Sequence, residues 1–291
     1  MKVAVGLPAY NEEKNIASII IKLKPIIDTI IVCDDGSSDL TSKIASELGA
    51  IIIIHTKNMG YGAAITSLFA KAKDMNVDAL ITFDADGQHR VEDIESVLEP
   101  IVKGEADIVI GSRFIGKESQ IPFYRKIGIK TISGLTNTIT GSRIKDSQSG
   151  FRAYTNRALR TLQLTENGMG VSTEILIKAS KNDLKIAEIP IEIRYHKDSS
   201  THNPVLHGAS VMMSTFRFMA LQKPLIFYGI PGICFVIVGL FFVGWTIQQY
   251  MESGNMITNI SLIGIGCIIL GIQLLITISI INSMIILIKE R

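Results

Sequence analysis

Four short apolar runs, Val3 to Leu7, Ile30 to Cys33, Ile51 to Ile54 and Ala79 to Phe83, each stop on a polar loop, and helical stretches follow the first three. Short buried strands alternating with helices predict a mostly parallel sheet with right-handed crossovers and helices on both faces. In a sheet of that kind the loops after the strands gather along one edge, and open α/β sheets bind ligands there. Tyr10 and Glu12, Asp34 and Asp35, Asn58 and Gly60, and Asp84 and Asp86 belong to such loops. Several acidic loops meeting at one edge are harder to explain as solvated turns than any one alone.

The central loop is Asp84-Ala85-Asp86-Gly87-Gln88-His89. Hard divalent cations take oxygen ligands and often bind through one or two carboxylates plus substrate phosphates, so this tip suits Mg²⁺ or Mn²⁺ bridging to a diphosphate. Gly60-Tyr61-Gly62 has the look of a phosphate-cradling turn but lacks both the dinucleotide and the P-loop fingerprint; a helix start with packing glycines fits it equally. Further along, Ile108 to Phe114 is an apolar strand carrying Arg113, followed by a basic, loop-rich stretch with Arg125, Lys126 and Lys130. Asp146 then either pairs with Arg152 or serves an acceptor site, and His89 reads as a loop histidine. Helices are expected over Leu159 to Leu164 and Thr173 to Lys181, then an alternating strand from Ile186 to Arg194.

The chain is apolar beyond what its first two thirds require. Mean hydropathy is +0.34, and the excess lies after Pro224. Residues 225–247 carry no charge, and a second apolar run covers about 260–288; each is long enough for a hydrocarbon core of about 30 Å. Arg217, Lys223, Lys289 and Arg291 flank the outer ends, whereas the connecting loop has Glu252 and no Lys or Arg, so the positive-inside rule places both termini in the cytoplasm. Residues 205–223 read as an amphipathic helix on the membrane surface, or as a buried packing helix. The expected organisation is a catalytic domain over 1–204, an interface helix over 205–223 and a two-span hairpin over 224–291. A net charge of +2 gives no polyanion signal, so nucleic acid is not an expected partner. The cysteines fit neither a metal spacing nor a disulfide framework, as suits a reducing compartment. No signal peptide is expected, because the first apolar run is short.

Pro8-Ala9-Tyr10-Asn11-Glu12, Asp34-Asp35-Gly36-Ser37-Ser38-Asp39, Asp84 to His89 and Gly111-Ser112-Arg113-Phe114 occur in the order and spacing of family-two glycosyltransferases with the A-type nucleotide-sugar fold. More closely, the chain resembles polyprenyl-phosphate and dolichol-phosphate sugar synthases. The stretches Asp146 to Tyr154, Glu166 to Glu174 and Ser200-Thr201-His202-Asn203-Pro204 look most like archaeal members that start protein N-glycosylation. The resemblance implies a Rossmann-like mixed sheet with helices on both faces. It implies that the loop with Pro8, Tyr10 and Glu12 and the Asp34/Asp35 turn hold the base and ribose, with Asn58 and Gly60 nearby. Asp84 would sit near the ribose and sugar, Asp86 would bind the metal, and Gln88 would support the diphosphate. Arg113, Arg125 and Arg194, helped by Lys197, Ser199 and Ser200, would hold the acceptor phosphate.

The implied reaction moves one sugar from a nucleotide sugar to a polyprenyl phosphate on the cytoplasmic face, with inversion. UDP-glucose or UDP-N-acetylglucosamine is the favoured donor, and GDP-mannose the alternative. Processive synthases carry Gln-x-x-Arg-Trp; Ser149-Gly150-Phe151-Arg152 stands in that region, and Trp245 lies inside a span. Sugar nucleotidyltransferases show a basic, Gly-rich first loop that this chain lacks. A non-catalytic scaffold would be favoured by loss of Asp84 or Asp86, and both are present. The hairpin works alone or packs against copies of itself; the sequence leaves both open.

Overall fold

The computed structural model describes residues 1–87, 89–116, 123–192, 213, 220, 224–255 and 258–289; the side chains of 123–125 and 285–289 lie outside the description. The chain divides into two compact units, Met1–Thr215 and Phe216–Arg291.

The first unit is built on a seven-stranded sheet. Its strands are β1 Val3–Ala9, β2 Thr29–Asp34, β3 Ile51–Ile54, β4 Ala79–Thr82, β5 Ile108–Ser112, β6 Arg152–Thr155 and β7 Ile186–Pro190. The spatial order is β3-β2-β1-β4-β6-β5-β7, and β6 alone runs antiparallel to its neighbours. Because strand side chains alternate between faces, the apolar runs feed two cores. Val5, Leu7, Ile30, Val32 and Ile81 meet the helices α1 Ile16–Leu23, α2 Thr41–Glu47 and α4 Ile94–Val102. Ala4, Ile31, Cys33, Leu80 and Tyr154 meet α3 Tyr61–Asp74, α6 Asn156–Thr161 and α7 Val171–Lys181. Pro8, expected to end β1, lies inside it opposite Cys33, beyond the last β4 partner at Gly6, where a missing N–H leaves the β4 ladder intact.

The stretch expected to be loop-rich is instead a helix, α5 Phe123–Thr140, packed on α7. Its many hydroxyls, which lower helix propensity, are spent inside the helix: Thr131, Thr136, Thr138 and Thr140 donate to the carbonyls four residues back. Ile129 and Ile132 supply its buried face. The strand expected as far as Arg194 is described only to Pro190, and its remainder from 193 lies outside the described residues, as does most of the expected interface helix.

The second unit is a helical hairpin. One π-turn, Leu225–Gly229, leads into α8 Ile230–Ser253, and α9 spans Thr258–Lys289. Gly254 closes α8 in the left-handed region at φ 68°. Leu225–Ser253 and Thr258–Met284 are long and apolar enough to cross a membrane. Their seam is made of small residues seven apart: Gly232, Gly239 and Thr246 are the buried residues of α8. A Cβ on Gly239 would lie 2.7 Å from the Gly264 carbonyl, and one on Gly271 would lie 2.7 Å from that of Gly232. Helices without a hydrophobic drive between them associate through close packing of this kind.

Candidate active site

The loops after β1 and β2 are stitched together before any ligand is considered. The Asn11 N–H donates to the Ser37 hydroxyl (2.9 Å), the Ser38 N–H to Asn11 Oδ1 (2.9 Å), and the Glu13 N–H to Asp39 Oδ2 (3.1 Å). Asn11 takes a positive φ of 55°, as short polar side chains tolerate. Tyr10 is left at the exposed tip, 39% accessible. Asp34 is buried and its Oδ1 accepts the Ser37 N–H at 2.8 Å, capping the turn.

Asp35 is also buried, and its oxygens serve the chain. Oδ1 accepts the Met59 N–H (2.9 Å) and faces His55 Nδ1 (2.6 Å); Oδ2 accepts the Gly60 N–H (2.8 Å). The other ring nitrogen of His55 meets the Ser67 hydroxyl at 2.9 Å. The carboxylate therefore pins the Asn58–Gly60 turn. Beside it, burial and the charges of Asp35 and Asp34 push the Cys33 thiol up to about 12, so it is inert at neutral pH. The Gly60-Tyr61-Gly62 turn is not open to a phosphate. The N–H groups of Gly62 and Ala63 donate to the Asn167 carbonyl (2.8 and 3.2 Å), and a Cβ on Gly62 would lie 2.1 Å from the Glu166 carbonyl. These glycines admit the 166–168 loop, which Glu174 holds by accepting from the Thr165 and Glu166 N–H groups (2.9 Å each).

Asp84 follows β4 and stands at the centre. Its Oδ1 accepts the Tyr61 hydroxyl at 3.2 Å and its Oδ2 faces His89 Nε2 at 3.1 Å. Burial works against its ionised form, yet the His89 hydrogen bond and charge, the Tyr61 hydroxyl and the Arg113 charge hold it below the ordinary carboxylate range. An ionised Asp84 only accepts, so His89 Nε2 bears a hydrogen. The ring packs between Phe83 and Phe151, and its Nδ1 is buried without a partner among the described residues. Burial, then the Asp84 charge, pushes the Tyr61 hydroxyl well above its usual value, so it stays a donor. Asp86, half-buried, is close enough to act on Glu12. Burial, eased by the Asn15 hydrogen bond, and the charges of Asp86, Asp39 and Asp84 push Glu12 above the carboxylate range. Among the described residues no three metal-ligating side chains cluster, so a divalent cation here would take one or two of these carboxylates and fill its shell with phosphate oxygens.

The wall opposite is set by the 146–152 segment. Asp146, wholly buried, is bonded to Arg113 rather than Arg152: Nε donates to Oδ2 (2.6 Å), Nη2 to Oδ1 (2.7 Å), and the Arg113 N–H adds a third bond. That bidentate charge holds Asp146 below the carboxylate range despite its burial. Arg152 is buried and donates to the carbonyls of Ser149, Ser172 and Ser147 (2.8, 3.1 and 2.7 Å). The Gly150 carbonyl accepts the Thr82 hydroxyl at 2.7 Å, and a Cβ on Gly150 would lie 2.5 Å from both Asp84 oxygens.

The structure thus gathers Tyr10, Glu12, Asp34, Asp35, Asn58, Gly60, Asp84 and Asp86 along the sheet edge reached by β1 to β4. Arg125 lies in α5 without a described side chain; Gln88, Arg194, Lys197, Ser199 and Ser200 lie outside the described residues. Tyr61, His89 and Gly150, which touch Asp84, and His55, which touches Asp35, were not among the expected site residues. His89 carried a signal in its place in the central loop, Tyr61 in the Gly60-Tyr61-Gly62 turn and Gly150 in the Asp146 to Tyr154 stretch, whereas His55 carried none.

Residues 4–163 match the family described as Glycosyl transferase family 2. The chain belongs to that family. UDP-N-acetylglucosamine–dolichyl-phosphate N-acetylglucosaminyltransferase of Methanococcus voltae is 36% identical over 237 residues, covering 74% of this chain and 92% of the relative. Dolichyl-phosphate hexose transferase of Haloferax volcanii is 32% identical over 216 residues, covering 74% and 92%. Among solved family-fold structures, glucosyl-3-phosphoglycerate synthase of Mycobacterium tuberculosis in complex with UDP matches with a TM-score of 0.60 and 22% identity over 75% of this chain and 80% of that one. The same enzyme is also known with Mn²⁺ and with Mg²⁺ beside UDP.

Proposed function

We propose that this family 2 glycosyltransferase moves one sugar from UDP-N-acetylglucosamine or UDP-glucose to a dolichyl or polyprenyl phosphate at the cytoplasmic face of the membrane. The observation that carries the reading is the convergence of Glu12, from the loop after β1, with Asp84 and Asp86, from the loop after its neighbour β4, in a chain that continues into two apolar spans. Its similarity to dolichyl-phosphate transferases over 74% of its length supports the acceptor class.

The Pro8–Glu12 loop and the Asp34 turn are assigned to base and ribose, with Tyr10 as the exposed face. Asp35, whose oxygens already hold the Asn58–Gly60 turn, is assigned to shaping that wall. Asp86, with Asp84 and Gln88, would hold Mg²⁺ or Mn²⁺, which would supply Lewis-acid stabilisation of a departing nucleoside diphosphate. Asp84, fixed on three sides by Tyr61, His89 and Gly150, orients the donor. A phosphate monoester has its second pKa at about 6, so the acceptor arrives as an anion and needs no strong base. Arg125, Arg194, Lys197, Ser199 and Ser200 are assigned to holding it in line. Arg113, forked onto Asp146, supplies charge near Asp84 and a fixed wall. In-line attack on the anomeric carbon inverts its configuration. Arg217, Lys223, Lys289 and Arg291 on the outer ends of the spans assign both termini to the cytoplasm.

The test is nucleotide release by the purified protein in detergent with Mg²⁺ or Mn²⁺, offering UDP-N-acetylglucosamine, UDP-glucose and GDP-mannose, each with and without a polyprenyl phosphate. Release from a UDP-sugar that requires the lipid phosphate is expected. Lipid-independent hydrolysis alone overturns the acceptor assignment, and lipid-dependent release from GDP-mannose overturns the donor.

A further inference from the structure

Gln273 stands near the middle of the apolar span Thr258–Met284 and is exposed. Its backbone carbonyl accepts the Thr277 hydroxyl, but its side-chain amide has no hydrogen-bond partner among the described residues. Two positions from both Gly271 and Leu275, which close on Gly232 of α8, it points away from the hairpin partner, at about 100° per residue. The same outward face carries Leu262, Gly266, Ile269, Gln273, Ile276 and Ile280, all exposed. Their spacing alternates between four and three residues, the pattern of a left-handed helix–helix seam. A Cβ on Gly266 would meet nothing within 4 Å, so another helix has room to approach closely.

An amide in hydrocarbon without a partner is costly. A carboxamide both donates and accepts, so the group that matches Gln273 best is another carboxamide at the same depth. All copies of a membrane protein insert with one orientation, and a two-fold axis along the membrane normal brings equal depths face to face. We propose that this face of α9 binds the same face of a second copy of the chain, with the paired Gln273 amides at the centre of the interface. The proposal rests on α8 and α9 lying in the membrane.

The full-length protein, labelled at its amino terminus with donor or acceptor fluorophore, is reconstituted in phosphatidylcholine vesicles and energy transfer is followed as the protein-to-lipid ratio varies. Transfer above random encounter is expected. Gln273→Leu is expected to weaken association about 3- to 30-fold, from the range measured for buried interhelical hydrogen bonds, and Gln273→Asn to retain it. Independently, in a chain with Cys33, Cys234 and Cys267 replaced by serine, Ile269→Cys and Ile276→Cys are expected to cross-link between copies on oxidation. Leu274→Cys, about 100° round the helix, is not. Undiminished association of Gln273→Leu, or cross-linking of Leu274→Cys equal to that of Ile276→Cys, overturns the interface. Vesicle-inserted protein that is monomeric at every ratio overturns self-association, while extraction of the chain by alkaline carbonate overturns the membrane reading and the proposal with it.

Discussion

Gly150→Ala places one methyl group where the site has no room. The added Cβ would lie 2.5 Å from both Asp84 oxygens and 2.7 Å from the Tyr61 hydroxyl. Restoring ordinary contact needs a shift of about 0.9 Å. The backbone is poorly placed to supply it, because Thr82 bonds the Gly150 carbonyl and buried Arg152 ties the carbonyls of Ser147 and Ser149 just before it. Asp84 is therefore the group that moves, away from the added methyl group. A misplacement near 1 Å costs about 100-fold in rate, or about 2.7 kcal/mol in the barrier. Overpacking adds about 1–3 kcal/mol of destabilisation. Lipid-dependent nucleotide release measures the first and thermal unfolding the second, with Gly128→Ala as the control, since a Cβ there meets nothing within 4 Å. Wild-type kcat in Gly150→Ala would refute the role given to the placement of Asp84.

Other outcomes follow from the same geometry. Asp86→Ala is expected to abolish Mg²⁺- or Mn²⁺-dependent turnover while circular dichroism stays native; full activity in excess chelator would sink the metal assignment. Glu12 is raised in the folded state, so its ionisation costs stability as pH climbs above its ordinary 4.5. Glu12→Gln should therefore raise Tm at pH 7 and lose that advantage in acid; an equal gain at pH 4 and pH 7 would contradict the cause. Asp146 is lowered, so its contribution is present above the ordinary 3.8 and fades as pH falls below it. Asp146→Ala removes the bidentate bond to the Arg113 guanidinium, which is 12% exposed, and is expected to cost about 1.5–3 kcal/mol in denaturant unfolding.

Much of the catalytic unit was legible because its signals are local. Apolar runs of strand length stop on carboxylate loops, and parallel pairing forces those loops to one edge, so Glu12, Asp84 and Asp86 could be placed together without coordinates. The α5 helix was misread as loop because serine and threonine lower helix propensity, while the burial of Ile129 and Ile132 that outweighs it is tertiary. Gly60-Tyr61-Gly62 had two local readings, and the choice between them was made by Asn167, a hundred residues away.

The sequence by itself determined the alternating sheet, the acidic edge and the two apolar spans, since periodicity, length and charge act over a few neighbouring residues. Only the tertiary structure decided which oxygens stay available at that edge. Asp35 is spent on Met59, Gly60 and His55, and Arg113 on Asp146, whereas Asp84 is held between Tyr61, His89 and Gly150. All of those pairings but Asp84–His89 join residues twenty or more positions apart, and a hydrogen bond is set by distance and angle in space, which no local pattern encodes.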